Sequence, residues 1–256
     1  MNKNERHERI LHLAGERGMI YLDRAAQATG ASLPTIRRDF AELADAGSVE
    51  RIRGGIRVSR KQENMPFNLR EVQRSNEKSA IARNAAKRIR GGDVLFIDGG
   101  TTTYHMCFHL PRVPLRIITN SLRLSAYLDD PAHRHTDWEV YLTGGRIQHG
   151  SSMLTGPGTV HSLNLYHADW AFLSVGGITP DGLYNTSEAI VETERKMIEH
   201  SNRSVILADQ SKIGTRTMCR VCEIKRIERL ITTPPAGRSL IEEDMREAGL
   251  VITHAD

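Results

Sequence analysis

Apolar residues recur at helical spacing from the start of the chain. Ile10, Leu11 and Leu13 sit among Glu5, Arg6, Glu8, Arg9 and Glu16, which predicts an amphipathic helix over 4–17, stopped by Gly15 and Gly18. A short apolar run over 19–22 leads to Asp23 in an N-cap position, a second helix over 24–29 and Gly30 as its breaker. Ser32 caps a third helix, where Pro34 is tolerated because first-turn amides have no intrahelical partner. Ile36, Phe40 and Leu43 give that helix its buried face. Thr35, Arg37 and Arg38 then cannot all face inward, and at least the two arginines point outward near the helix start. Two short helices around a Gly-containing turn, the second exposing Ser, Thr and Arg at its N-terminal end, form the helix-turn-helix arrangement that reads a major groove. Residues 48–58 alternate apolar with charged around Gly54 and Gly55, which predicts a two-stranded wing placing Arg51, Arg53 and Arg57 toward phosphates or a minor groove.

Residues 59–75, with Pro66, several Asn and Gln and little periodicity, predict a linker or a swapping arm. The expected layout is a winged helix-turn-helix domain over 1–59, a linker over 60–75 and an α/β domain over 76–256. In that last part strands over 94–97, 115–119, 139–142, 170–175, 205–207, 229–231 and 250–253 alternate with helices over 77–90, 103–110, 122–129, 187–201 and 240–248. Apolar strands followed by helices predict a mostly parallel sheet covered on both faces.

The strand ends are small, polar and glycine-rich. Asp98-Gly99-Gly100-Thr101-Thr102-Thr103 follows the first strand, Thr119-Asn120-Ser121 the second and Thr143-Gly144-Gly145 the third. Ser174-Val175-Gly176-Gly177 and Asp209-Gln210-Ser211-Lys212 close two later ones. In an open parallel sheet these carboxyl ends line one crevice. The turn through Thr101, Thr102 and Thr103 offers amides and hydroxyls for a phosphate or carboxylate, with Lys212 as a countercharge. Asp98, Asn120, Glu188 and Asp209 supply groups for hydroxyls, which together describe a sugar phosphate. Glu192 and Glu194, by contrast, read as acids on the outside of a well-capped surface helix, placed to suit its dipole.

Charge sharpens the division. Residues 1–61 hold 12 Lys and Arg against 8 Asp and Glu, a net +4, while the remaining 195 residues hold 23 of each. A basic module joined to a neutral one suits a polyanion at one end and a different task at the other. Hydrophobic residues at 39% and charged residues at 26% exclude a disordered chain, and no apolar window is long enough for a membrane span. The N-terminus has no leader-like stretch and the three cysteines suit a reducing compartment, so a cytoplasmic protein is expected.

The run Ser32-Leu-Pro-Thr-Ile-Arg-Arg-Asp-Phe40, followed by Leu43, Gly47 and the Arg-Ile-Arg-Gly-Gly wing, closely resembles the signature of the DeoR family of bacterial transcriptional regulators. Family members usually carry Leu where Ala25 stands and a bulky apolar residue where Thr29 stands, so a thinner contact between the first two helices is expected here. The second half resembles the family's effector domain through Leu95-Phe-Ile-Asp-Gly-Gly-Thr-Thr-Thr103, Ile118-Thr-Asn-Ser121, Leu142-Thr-Gly-Gly145, Ala168-Asp-Trp-Ala-Phe172 and Asp209-Gln-Ser-Lys212. The resemblance implies a fold similar to ribose-5-phosphate isomerase and glucosamine-6-phosphate deaminase, with a sugar phosphate as inducer. Phosphate would lie on Thr101 to Thr103, with Asn120, Glu188 and Lys212 lining the pocket. One departure is the Gly99–Gly100 pair, where the family commonly has another residue before its Gly-Thr-Thr, and a more flexible loop is expected there.

The whole reading is a repressor of a carbohydrate operon. Ser32, Pro34, Thr35, Arg37, Arg38, Arg51, Arg53 and Arg57 meet operator DNA, and Asp98, Gly100, Thr101, Thr102, Thr103, Asn120, Gly144, Gly145, Gly176, Gly177, Glu188 and Lys212 meet the effector. A homo-oligomer on repeated half-sites is expected, because one module buries too little for tight specific binding. No catalytic residue, cofactor or metal is expected. Cys219 and Cys222 lack the second pair of a zinc site, His105 and His109 suit a helix packed beside a polar crevice, and His133 and His135 read as solvated. The alternatives are an isomerase or deaminase with a DNA-binding appendage, using Asp98, Glu188 or Asp209 as base, and an architectural DNA-binding protein without a ligand.

Overall fold

The computed structural model describes residues 1–45, 49–58 and 66–256, which form two compact units, Met1–Ser75 and Asn76–Asp256. The first runs α1 (Lys3–Arg17), β1 (Met19–Tyr21), α2 (Leu22–Thr29), α3 (Leu33–Asp45), β2 (Val49–Ile52), β3 (Gly55–Val58) and α4 (Phe67–Val72). Ile10, Ile20, Ile36, Phe40 and Ile56 fill its core. Ala25 is fully buried among them, and Thr29 turns its hydroxyl onto the Ala25 carbonyl at 2.7 Å.

Several expectations are corrected here. The apolar run over 19–22 supplies a third strand, because β1 pairs with β3 to make a sheet of order β1-β3-β2. That pairing explains Gly55, where any side chain would overlap the Ile20 carbonyl oxygen. Tyr21, not Asp23, is the N-cap of α2, and Asp23 sits in the first turn, where its charge meets the helix dipole. Gly15 lies inside α1, which ends at the left-handed Gly18, and its missing side chain lets Val72 of α4 approach. Of the expected linker, 59–65 lie outside the described residues, while 67–72 are helical because Phe67 and Leu69 are buried.

Asp39, which spacing alone left without a task, ties α3 to α1. Arg6 donates to it twice, at 2.6 and 3.0 Å, and His7 Nε2 lies 3.0 Å away, leaving Asp39 2% exposed. Burial alone would raise the carboxyl, but hydrogen bonds from Arg6 and His7 and their charges outweigh it and hold Asp39 below the usual carboxylate range. His7, Asp39 and Glu42 have the donor set of a cation site. Arg6 and Lys3, the latter 2.6 Å from Glu42, already supply the countercharge there.

The second unit comprises α5 (Ser75–Ala86), β4 (Val94–Ile97), α6 (Thr101–Tyr104), β5 (Leu115–Thr119), α7 (Leu122–Asp129), β6 (Trp138–Leu142), β7 (Arg146–Gln148), β8 (Met153–Thr155), α8 (Pro157–Leu163) and β9 (Ala168–Leu173). It continues with β10 (Gly177–Thr179), β11 (Gly182–Asn185), α9 (Glu188–Glu199), β12 (Ser201–Leu207), β13 (Cys219–Cys222), β14 (Arg229–Thr232), α10 (Leu240–Glu247) and β15 (Val251–His254). Seven strands form one parallel sheet of order β15-β14-β12-β9-β4-β5-β6. Alternate strand residues feed two cores: Leu95, Ile97, Ile117, Phe172 and Val205 pack with helix residues Ile81, Met106 and Leu124. Phe96, Ile118, Ala171, Leu173 and Ile206 pack with Leu163, Val191, Met197 and Met245. Winding proceeds outward from β4 through β5 to β6, then restarts at β9 on the other side of β4. Right-handed crossovers in opposite directions put their helices on opposite faces, which is why each core has its own set.

The short antiparallel pieces β7–β8 and β10-β11-β13 escaped the periodicity reading. The helix expected over 103–110 is shorter, with α6 starting at Thr101 and breaking into a 3-10 turn over His105–Phe108. His133 and His135 are not simply solvated: they lie against the Tyr127 and Trp138 rings, at 4.0 and 5.3 Å between centroids. His109 meets Ser79 Oγ at 2.9 Å. Cys219 and Cys222 lie three residues apart on one strand, about 10 Å by strand geometry, too far for a disulfide.

Removing the Asp39 carboxylate strands Arg6, so Asp39→Ala is expected to cost the first unit about 2–3 kcal/mol at neutral pH, read by urea unfolding. A carboxyl depressed in the folded state gives its full contribution above its unfolded value, near about 4, and loses it as pH falls through the folded value. The deficit therefore shrinks in acid; an equal deficit at pH values about 3 and 7 contradicts this role.

Candidate functional site

The first surface is the start of α3. Ser32, Leu33, Pro34, Arg37 and Arg38 are exposed and Thr35 is half-buried, while Ile36, Asp39 and Phe40 face the core. Ser32 Oγ lies 2.9 Å from Thr35 Oγ1 and accepts the Thr35 amide at 3.4 Å, so the expected cap is present. No acid occupies the first turn of α3, so the positive end of the helix and two arginines stand together on one face. On the wing, Arg51 and Arg53 are exposed, without ion pairs among the described residues. Arg57 differs from expectation: it lies opposite Glu50 and donates to its carboxylate at 2.6 Å, so its charge is matched within the wing.

The second surface is the crevice at the carboxyl ends of the parallel strands. The sheet reverses its winding between β4 and β9, and there the connections leaving the two paired strands part. Asp98, just past β4, accepts from the Ser174 hydroxyl at 3.1 Å and its amide at 3.4 Å, just past β9. A side chain on Gly100 would overlap Ser174 Oγ, and one on Gly99 would overlap Met153. The Gly-Gly pair thus serves close packing, not the flexibility expected of it. Thr103 donates to the Asp98 and Gly100 carbonyls at 2.7 and 2.9 Å, so its hydroxyl braces the loop. Thr101 and Thr102 are buried at the start of α6.

Asn120, fully buried past β5, donates its side-chain amide to the Leu154 carbonyl at 3.3 Å and accepts the Leu154 amide on its own carbonyl at 2.7 Å. β8, whose three residues are all buried, therefore crosses the ends of β4 and β5. Gly144 and Gly145 are exposed and pack on α8 through Thr159 and Ser162. Gly176 and Gly177 pack on the segment from Thr215 to Thr217. Asp209 is buried and caps the 3-10 turn that carries Lys212, which is half-buried.

Glu188 and Glu194 exchange places relative to the sequence reading. Glu188 is exposed in the first turn of α9, whereas Glu194 is buried, with Asn185 donating to its Oε1 at 2.6 Å. Helical spacing held the signal, since Glu194 falls in the series Ile190, Val191, Met197, Ile198 that makes the buried face of α9. Met153 had no comparable signal, because it meets the loop from a distant part of the chain, whereas Ser174 lies in a strand end the sequence already places at the crevice. Burial pushes the Asp98 carboxyl up, opposed by the nearby Gly99 amide, the Ser174 hydroxyl and amide, and the Gly100 amide. Burial, then the neighbouring charge of Asp98, pushes Glu194 well above its usual range, with Asn185 opposing.

Gly100→Ala is expected to drive Ser174 off Asp98 and cost about 1–3 kcal/mol, read by thermal unfolding. Adding Ser174→Gly should restore only the part due to the overlap, because the Asp98 carboxylate then lacks the Ser174 hydroxyl. A neutral Gly100→Ala, or no recovery in the pair, contradicts the packing role.

Comparison with known proteins agrees with this two-part arrangement. Residues 6–62 match the DeoR-like helix-turn-helix domain and residues 73–233 the DeoR C terminal sensor domain. The chain is 30% identical over 246 residues to the HTH-type transcriptional regulator UlaR of Shigella flexneri, covering 95% of this chain and 96% of UlaR. It is 31% identical over 244 residues to the HTH-type transcriptional regulator YulB of Bacillus subtilis, covering 93% of each. Ribose 5-phosphate isomerase A from Methanocaldococcus jannaschii aligns over 54% of each chain at 16% identity and a TM-score of 0.39. The full-length relatives are regulators, so the reading as an isomerase or deaminase is set aside. The chain belongs to the DeoR family of transcriptional regulators.

Proposed function

We propose that this regulator represses a carbohydrate operon in the cytoplasm and releases or engages its operator according to a phosphorylated sugar held in the C-terminal crevice. The observation that carries the reading is the pairing, in one chain, of an exposed arginine face on α3 with a buried crevice whose oxygens lack partners. Ser32, Pro34, Thr35, Arg37 and Arg38 meet phosphates and base edges in the major groove, and Arg51 and Arg53 meet the backbone beside it. Arg57 holds the wing together through Glu50. Thr101, Thr102 and Lys212 take the phosphate, and Asp98 and Asn120 take hydroxyls. Repeated half-sites call for a homo-oligomer.

A contiguous set of hydrogen bonds leads away from the crevice. Gln210, beside Lys212, donates to the Thr233 carbonyl and to Glu242, and Thr233 donates to Glu77 at 3.2 Å in the first turn of α5. α5 begins where the second unit begins, so a change in the effector loop has a short covalent path toward the DNA-binding unit.

DNase I footprinting upstream of the regulator's own gene and neighbouring operons, with and without a panel of sugar phosphates, tests the reading. Discrete protected half-sites that one compound alters are expected. Arg37→Ala and Arg38→Ala should each weaken protection by about tenfold or more, and Arg57→Ala by less. No protection above nonspecific DNA contradicts the reading.

A further inference from the structure

Three oxygens beneath β8 share an unusual condition. Asp98 Oδ1, Asn120 Oδ1 and Glu194 Oε2 are all buried without a hydrogen-bond partner. In each residue the other polar atom is fixed: Ser174 holds Asp98 Oδ2, the Leu154 carbonyl holds the Asn120 amide, and Asn185 holds Glu194 Oε1. Asp98 and Asn120 follow adjacent paired strands, and Asn185, which holds Glu194, packs against Gly176, two residues past Ser174. Neither carboxyl has a cationic partner among the described residues. Two close, buried carboxyls cost stability, and apolar side chains of similar size would pack there at less cost. Glu194 is 1% exposed, so solvent does not relieve that cost.

The geometry points to Glu194, with Asp98 and Asn120, as the floor of the effector site that takes the hydroxyl-bearing carbons of a polyhydroxylated phosphate ester. This rests on the sugar-phosphate reading above and adds to it the residue and the ligand face. Asp98 Oδ1 and Asn120 Oδ1 only accept, so they require hydroxyl donors. Asn185 occupies Glu194 Oε1, so a proton carried by this acid sits on Oε2, where it is donated to a hydroxyl oxygen. Neighbouring hydroxyls both donate and accept and satisfy all three atoms. A second ligand carboxylate offers acceptors alone, and an ammonium offers donors alone.

The test is calorimetric titration and thermal unfolding of the full-length protein and of Glu194→Gln, with Glu192→Gln as an exposed control on the same helix. The probes are ribose 5-phosphate, glucose 6-phosphate, glucitol 6-phosphate, glucosamine 6-phosphate and inorganic phosphate. At least one neutral polyol phosphate is expected to bind the wild type. Glu194→Gln should melt at or above the wild-type temperature and bind that compound at least tenfold more weakly, while Glu192→Gln behaves as wild type. Unchanged affinity in Glu194→Gln overturns this assignment and leaves the sugar-phosphate reading standing. A lower melting temperature marks Glu194 as structural and overturns it as well. Tightest binding of the amino sugar overturns the hydroxyl chemistry. No response of the wild type to any sugar phosphate overturns both readings.

Discussion

Where the parallel sheet changes its winding direction, β4 and β9 must run side by side while their connections leave to opposite sides, and the sensor unit is organised around that parting. Asp98 and Ser174 meet across it, and Gly100 has no room for a side chain because Ser174 already occupies the space. The same reversal assigns helices to opposite faces of the sheet, so each face has its own core. Position of the crevice, its glycines and its buried acids follow from one topological fact.

The DNA-binding unit obeys a different constraint. It is small, and its contact face must stay exposed, so little apolar area is left to orient α3. The Arg6–Asp39 pair supplies that orientation: the acid of the Arg-Arg-Asp run turns inward to α1 while the two arginines before it turn outward. Three consecutive charges thus divide between the interior and the exposed face. On the wing, Arg57 is matched by Glu50, which concentrates the unpaired charge on Arg51 and Arg53.

Much of this was legible because its signals are local. The helices α1, α2 and α3, the strands over 94–97 and 115–119, and the outward arginines follow from spacing that neighbours along the chain enforce. The failures have physical reasons. β1 and β13 are short and pair with strands far off in sequence, and the β10–β11 hairpin pairs only three residues a side, so alternation had too few residues to register. α4 was hidden because it is a single short helix of six residues whose stability comes from packing on α1 at Gly15. Glu194 was misjudged for another reason: its charge suggested solvent, although its helical position placed it inside. That conflict between residue type and position is what singles out Glu194 for the site proposed above.

The central claim is that one ligand and one DNA site act on the same conformational equilibrium. Linkage then requires that effector and operator change each other's affinity by the same factor, whichever the sign. The most direct measurement is effector affinity in the absence and presence of saturating operator duplex, set beside operator affinity in the absence and presence of saturating effector. Equal factors differing from one are the predicted result. An effector that binds equally well with and without operator would contradict the account, however tightly each binds alone.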